Sequence, residues 1–422
     1  MSVDLTAEDR AMLEGDRGEA PAMAMRIIAA MADVSDAARL LDVTSAHIDG
    51  CLYHGPAGLD FARRLANAGG RVTVPTTLNV SSLDLLHPDL VHLDDDTRED
   101  ARALMDIYVA MGCRPTWTCA PYQLPTRPSL GEHIAWAESN AIVFANSVLG
   151  ARTDRYGDFI DICCAITGRA PAAGLHLDEG RAARAIFRLE GVPERLLADP
   201  IAHAAVGAVV GRATGTMVPA IVGLPPAPVT TEDHAKALGA AAASSGALAM
   251  FHAVGVTPEA PTLEAATAEL PPLLERSITP EDLRAARDAL STVPVGAAIG
   301  AVSIGTPHCS VREFAQLASL VDGRRMAVPF YVNTGRDVLA QAEREGTASV
   351  VAEAGITVVT DTCTYITPII QARGGPVVTD SGKWAWYAPG NLGLDVAFAS
   401  MAECVSSAIA GELVRDEDLW GS

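Results

Sequence analysis

At 422 residues, with 49% hydrophobic and 20% charged side chains, the chain is long enough for two or three domains with real cores and too apolar to be disordered. A net charge of −21 argues against a nucleic-acid partner, which needs a basic surface, and there is no run of ~18 or more apolar residues to span a membrane. The N-terminal residues Met1, Ser2, Val3 and Asp4 form neither a basic nor an apolar signal region, so a cytoplasmic protein is expected.

Taken in order, Thr6 predicts a helix cap with Glu8 and Asp9 in the first turn, Gly15 and Gly18 interrupt, and Pro21 opens a second helix through Met31. Residues 40–49 suggest a strand running into a loop, and a Gly-rich turn at 52–58 opens a helix over 59–68. That turn puts Tyr53, His54 and Gly55 at a helix N-terminus, a weak anion-binding signal. Residues 71–75 are the next predicted strand, with Thr76, Thr77 and Asn79 at its carboxyl end as binding groups or as polar loop caps. A helix is expected over 99–111, a short strand around 116–118, and then a loop carrying Cys119. Residues 134–149 have the pattern of one helix bearing Glu138 and Asn140, which taken alone suggest a structural network more than a catalytic acid.

Further on, an Ala-rich helix is expected over 232–255 and an acidic surface helix over 280–290, with a domain boundary near Val293. Residues 298–305, 330–333 and 356–359 are predicted strands, with a helix over 336–345 between the last two. The pattern is α/β with several parallel-sheet subdomains, at about 1–155, 156–292 and 293–422.

Eight cysteines show no Cys-x-x-Cys and no zinc-finger spacing, so a structural zinc site is not expected. Cys51, Cys113, Cys163, Cys164 and Cys404 suit small buried hydrophobes. Cys119, Cys309 and Cys363 each stand at a strand-to-loop junction among Thr, Pro, His and Asp, where a thiol faces the ligand-binding end of a parallel sheet. A shared metal site is one reading of those three; dispersed core cysteines are the other. His308, beside Cys309, suits a substrate contact, a hydrogen bond to a cluster sulfur, or the satisfaction of a loop carbonyl. Lys appears only as Lys236 and Lys383, and Lys383 suits a carboxylate or phosphate partner or a solvated surface position.

Several segments resemble the large, catalytic part of the aconitase X family nearly end to end. They are Ala46-His47-Ile48-Asp49 with Tyr53 to Gly58, Val74 to Val80, Pro115 to Gln123, the block around Ala137-Glu138-Ser139-Asn140, Gly305 to Ser310, Asp361-Thr362-Cys363, and Ser381-Gly382-Lys383. The resemblance implies an aconitase-superfamily fold around a central crevice, without the small swivelling domain, which would come from a partner subunit. It implies an iron–sulfur hydro-lyase whose cluster, 2Fe–2S or 4Fe–4S, is held by Cys119, Cys309 and Cys363. Cis-3-hydroxy-L-proline is the expected substrate, dehydrated to 1-pyrroline-2-carboxylate.

On the same resemblance, Lys383, Ser381, Thr76, Thr77 and Asn79 would hold the carboxylate or the ring, and His308, Glu138 and Asn140 would form a polar wall. The general base is left unassigned, since in aconitases it lies on the small domain. Mevalonate 5-phosphate is the alternative substrate and would call for a stronger cationic pocket, with Arg152 joining Lys383. A non-catalytic iron–sulfur regulator and a metal-free α/β binding protein are the rival classes.

Overall fold

The computed structural model describes residues 3–372 and 374–420. Its contacts divide the chain into two units, Met1–Leu83 with Leu93–Ala182, and Asp84–His92 with Ala183–Ser422.

The first unit holds β1 (Leu40–Asp42), β2 (Ala46–Ile48), β3 (Thr76–Leu78), β4 (Ala135–Trp136) and β5 (Arg169–Pro171). β2 is the centre of a parallel sheet in the order β3-β2-β4, and β1 pairs antiparallel with β5. The buried faces of the Glu19–Val34 and Ile160–Thr167 helices pack on each other. Thr6 caps the first helix, Ala7–Glu14, as expected, with Asp9 returning the bond to form a capping box.

Three local expectations change. The strand expected at 71–75 begins instead at Thr76, because the amides of Val72 and Thr73 are taken by the carbonyls of Met111 and Ala165. Residues 116–118 run beside β3 without forming a ladder: Trp117 has φ 43°, and the Leu78 amide donates to the Thr116 hydroxyl. The single helix expected over 134–149 is a strand followed by the helix Ser139–Phe144 and a π-turn, Ala145–Leu149. Glu138, at φ 74°, breaks the run, and a short apolar stretch cannot by itself distinguish a buried strand from a buried helix.

The second unit holds two parallel sheets. One has β6 (Ala185–Leu189), β7 (Pro219–Val222), β8 (His252–Ala253) and β9 (Leu274–Ile278) in the order β8-β7-β6-β9. The other has β10 (Ala301–Cys309), β11 (Phe330–Thr334), β12 (Ile356–Val359), β13 (Val377–Thr379) and β14 (Val396–Phe398) in the order β12-β11-β10-β13-β14. All nine residues of β10 are buried, as for the centre of a parallel sheet covered on both faces. Val302, Ile304, Phe330, Val332, Phe314 and Leu317 form its core. The helix expected over 232–255 ends at Ser245, and Gly246 closes it by donating to the Ala242 carbonyl.

Candidate metal and substrate site

In the second unit the chemistry collects at the carboxyl ends of β10 and β12. The β10–β11 register shifts between Ile304 and Cys309. Gly305 makes the shift at φ 83°, with so little room that a Cβ there would lie 2.2 Å from the Asn333 carbonyl oxygen. The bulged end is tied down by Asn333 Nδ2 donating to the Ile304 carbonyl (2.7 Å) and Thr334 Oγ1 donating to the Cys309 carbonyl (2.9 Å). Buried Lys236 donates to the His308 carbonyl (3.2 Å) and is paired with Glu313 and Asp233. The two carboxylates hold the ammonium charged and raise its pKa despite burial.

Successive residues of a strand face opposite ways, and His308 and Cys309 do so here. His308 Nε2 hydrogen-bonds the Thr362 carbonyl (3.2 Å), which makes Nε2 the protonated nitrogen and Nδ1 the one with a lone pair. Ligand atoms of His308 and Cys363 lie within 4.8 Å of each other. The thiol of Cys309 does not join that pair; it lines a ≈ 50 Å³ space with Lys236, Glu313, Thr306 and Asp380. Burial pushes the Cys309 thiol well up, with Glu313 adding to the effect.

Cys363 is carried by a turn with little freedom. Asp361, at φ 62° and fully buried, takes both arms of Arg336 at 2.6 Å and the Leu85 amide at 3.0 Å. Asp84 accepts from the Thr360 amide and hydroxyl, both at 2.9 Å. Thr362 and Thr367 join hydroxyls at 2.6 Å, and the Thr367 amide closes on the Cys363 carbonyl. After β13, Ser381 caps the helix Gly382–Leu392, accepting from the Trp384 amide (3.0 Å) and donating to the Thr306 carbonyl. Lys383 is buried in the first turn, its ammonium 5.6 Å from the Tyr365 ring centre.

In the first unit the carboxyl ends of β2, β3 and β4 carry Asp49, Asn79 and Glu138. Glu138 caps the following helix, accepting from the Ala141 amide (2.8 Å) and from Asn140 Nδ2 (3.2 Å). Asn140 Nδ2 also donates to the Cys119 carbonyl (2.9 Å), and Tyr122 donates to Asn140 Oδ1 (3.1 Å). The loop that carries buried Cys119 is therefore fixed by the same network. His47, whose pKa burial lowers to about 4, hydrogen-bonds Thr77 Oγ1 at 2.8 Å.

The other sequence-predicted residues fall elsewhere in this unit. Thr76 and Thr77 lie within β3 rather than beyond it, and line a ≈ 520 Å³ cavity with Arg114 and Arg127. Arg152 donates to the His176 carbonyl (3.0 Å) and pairs with Asp178, next to His133 and ahead of β4. The Tyr53 hydroxyl donates to Asp100 (2.8 Å), His54 is exposed, and Gly55 caps the helix Pro56–Asn67 at φ 118°.

Two residues given no role from sequence stand out. Lys236 braces the His308 backbone, for which its rarity in an Arg-rich chain is the one available signal. Asp49 ends the central strand of its sheet, and burial, together with Glu138 and Asp158, pushes its carboxyl up to about 8. The cysteines without a proposed ligand role, Cys51, Cys113, Cys163, Cys164 and Cys404, are all buried.

Comparison with known proteins gives one family throughout. The models described as Aconitase X first, second and third domain match residues 2–179, 183–288 and 299–410. A cis-3-hydroxy-L-proline dehydratase of Pseudomonas aeruginosa is 44% identical over 420 residues, covering 99% of this chain and 72% of that one. The phosphomevalonate dehydratase large subunit of Methanothermobacter thermautotrophicus is 35% identical, covering 94% of this chain and 96% of that one. The crystal structure of Thermococcus kodakaraensis aconitase X in its holo-form superposes with TM-score 0.85 at 32% identity, covering 96% of this chain and all of that one.

Proposed function

Because the chain belongs to the aconitase X family, we propose that it is a hydro-lyase that dehydrates cis-3-hydroxy-L-proline to 1-pyrroline-2-carboxylate, as the large subunit of a two-subunit enzyme. The carrying observation is the 44% identity over 99% of the chain to a protein with that activity in its name, against 35% for a phosphomevalonate dehydratase large subunit. The commitment of Arg152 to Asp178 and the His176 carbonyl also speaks against its serving as a phosphate ligand. The large-subunit names among the relatives support a small partner chain. Among the described residues no helix is long and apolar enough to cross a membrane. A reducing, cytoplasmic setting suits eight free thiols.

The donor set fits an iron–sulfur cluster: the candidate thiols are buried, and Cys363 has an imidazole nitrogen within 4.8 Å. Cys119, Cys309 and Cys363 would hold it, as 2Fe–2S or 4Fe–4S, with Cys309 a ligand only if its thiol turns from the Lys236 space in which it lies here; when bound the cluster would supply a Lewis acid for the departing 3-hydroxyl. His308, with its proton directed at the Thr362 carbonyl, would offer its other nitrogen to that centre. Lys383 would hold the carboxylate, with Ser381 fixing the helix end that carries it. Asn79 and the Thr76–Thr77 strand would position the ring, and Glu138 with Asn140 would keep the Cys119 loop in place. Tyr53, His54 and Gly55 remain candidates for an outer anion contact. In the reaction a base takes the Cα proton, the 3-hydroxyl leaves as water, and the enamine tautomerises to the imine. The domain limits 1–155, 156–292 and 293–422 put their first boundary inside the unit that runs to Ala182, and limited proteolysis would check them.

The test is anaerobic preparation with the small subunit, iron and sulfide analysis, and turnover of cis-3-hydroxy-L-proline beside mevalonate 5-phosphate. Brown protein that loses its chromophore in each of Cys119→Ser, Cys309→Ser and Cys363→Ser, and that consumes only the proline, is expected. Colour indifferent to all three changes would sink the cluster assignment, and turnover of only the phosphate ester would sink the substrate.

A further inference from the structure

Asn79 is 2% exposed, and its amide is half used: Nδ2 donates to Asp49 Oδ1, while Oδ1 is a buried acceptor with no hydrogen-bond partner among the described residues. A buried acceptor left unpaired is costly, so this one calls for a donor. Against an ionised Asp49 this orientation is the one that bonds, since only the nitrogen end of the amide can donate to a carboxylate. The Asn79 backbone is fixed as well, its amide donating to the Ile48 carbonyl at 2.9 Å.

Asp49 completes the local picture. Its amide donates to Asp161 Oδ2 (2.7 Å), and its half-buried carboxyl, one residue past the end of β2, accepts from Asn79 Nδ2. Burial first, then the negative charge of Glu138, Asp158 and Asp161, disfavours the Asp49 carboxylate there, and a cation bound beside it would restore the ionised form. Two acceptors, one of them unpaired, in a field of carboxylates suit a cation that carries two N–H bonds.

On the hydroxyproline reading, the substrate has such a group in its ring. We propose that Asn79 Oδ1 and the Asp49 carboxylate form the subsite for the secondary ammonium of the substrate ring. The pair would select a cyclic amino acid over a hydroxy acid that has no nitrogen, and would orient the ring for loss of the neighbouring Cα proton.

The experiment uses the two-subunit holoenzyme and two unreactive ligands, L-proline and tetrahydrofuran-2-carboxylate, in which oxygen replaces the ring nitrogen. Affinities are measured by calorimetry in wild type, Asp49→Asn and Asn79→Leu, with circular dichroism as the check on folding and the smaller change Asn79→Ser as a fallback. The wild type is expected to prefer L-proline by roughly 10- to 100-fold, the range for charge-assisted hydrogen bonds. Each variant is expected to shrink that preference to within about threefold, by weakening L-proline alone. A preference unchanged in the folded variants, or an equal loss for both ligands, overturns the subsite while wild-type turnover leaves the substrate assignment standing. A wild type that neither turns over cis-3-hydroxy-L-proline nor binds either ligand overturns both.

Discussion

Lys236→Met is the most informative single perturbation of the second unit. Lys236 is buried, pairs with Glu313 and Asp233, and donates to the backbone that carries His308. Removing it strands the largely buried Glu313 carboxylate, 14% exposed, whose remaining partner among the described residues is the Ser310 amide at 2.8 Å. Loss of one member of a buried pair costs about 3–5 kcal/mol, far above a surface pair. At about 2–4 °C per kcal/mol for 150–250 residues, the melting temperature should fall roughly 6–20 °C. Urea unfolding of wild type, Lys236→Met, Glu313→Gln and the double variant gives the cycle. The double variant should be more stable than the sum of the singles, because it leaves no stranded charge. A single-variant loss under about 1 kcal/mol, or additive losses, would refute the idea that the ion pair supports the bulge.

Gly305→Ala should cost about 3 kcal/mol or more, from the left-handed backbone and the contact with the Asn333 oxygen, read as a lower urea midpoint. Asp361→Asn should cost about 2–3 kcal/mol by weakening the Arg336 fork, and should speed amide exchange at Thr362 and Thr364; unchanged exchange would mean that the turn is held elsewhere. Burial pushes His176 and His203 down, each to about 3, so both are neutral in the folded chain and titrate near 6.5 when unfolded. Their contribution is complete above about pH 6.5 and is lost as pH falls toward 3. Urea midpoints between pH 7 and 4 should therefore drop less steeply in His203→Gln, and an identical slope would count against that assignment.

The sequence by itself determined the α/β alternation, the positions of β11 and β12, the existence of β10 though not its bounds (expected over 298–305, it spans Ala301–Cys309), the cap at Thr6 and the family. These are local: a period of two or 3.6, a capping side chain, or a motif such as Asp361-Thr362-Cys363 is legible without knowing what packs on it. Tertiary structure decided where Thr76 and Thr77 sit, because strand pairing starts where a partner's amides are available, and not where Val72 and Val74 alternate. It split the run at 134–149, since only backbone geometry reveals the positive φ of Glu138. It also set Cys309 against Lys236 and His308 beside Cys363, through a bulge whose need for Gly305 depends on the distant Asn333 oxygen. The raised carboxyl of Asp49 was equally invisible in sequence, for it arises from burial and from Glu138 and Asp158, which lie about a hundred positions along the chain.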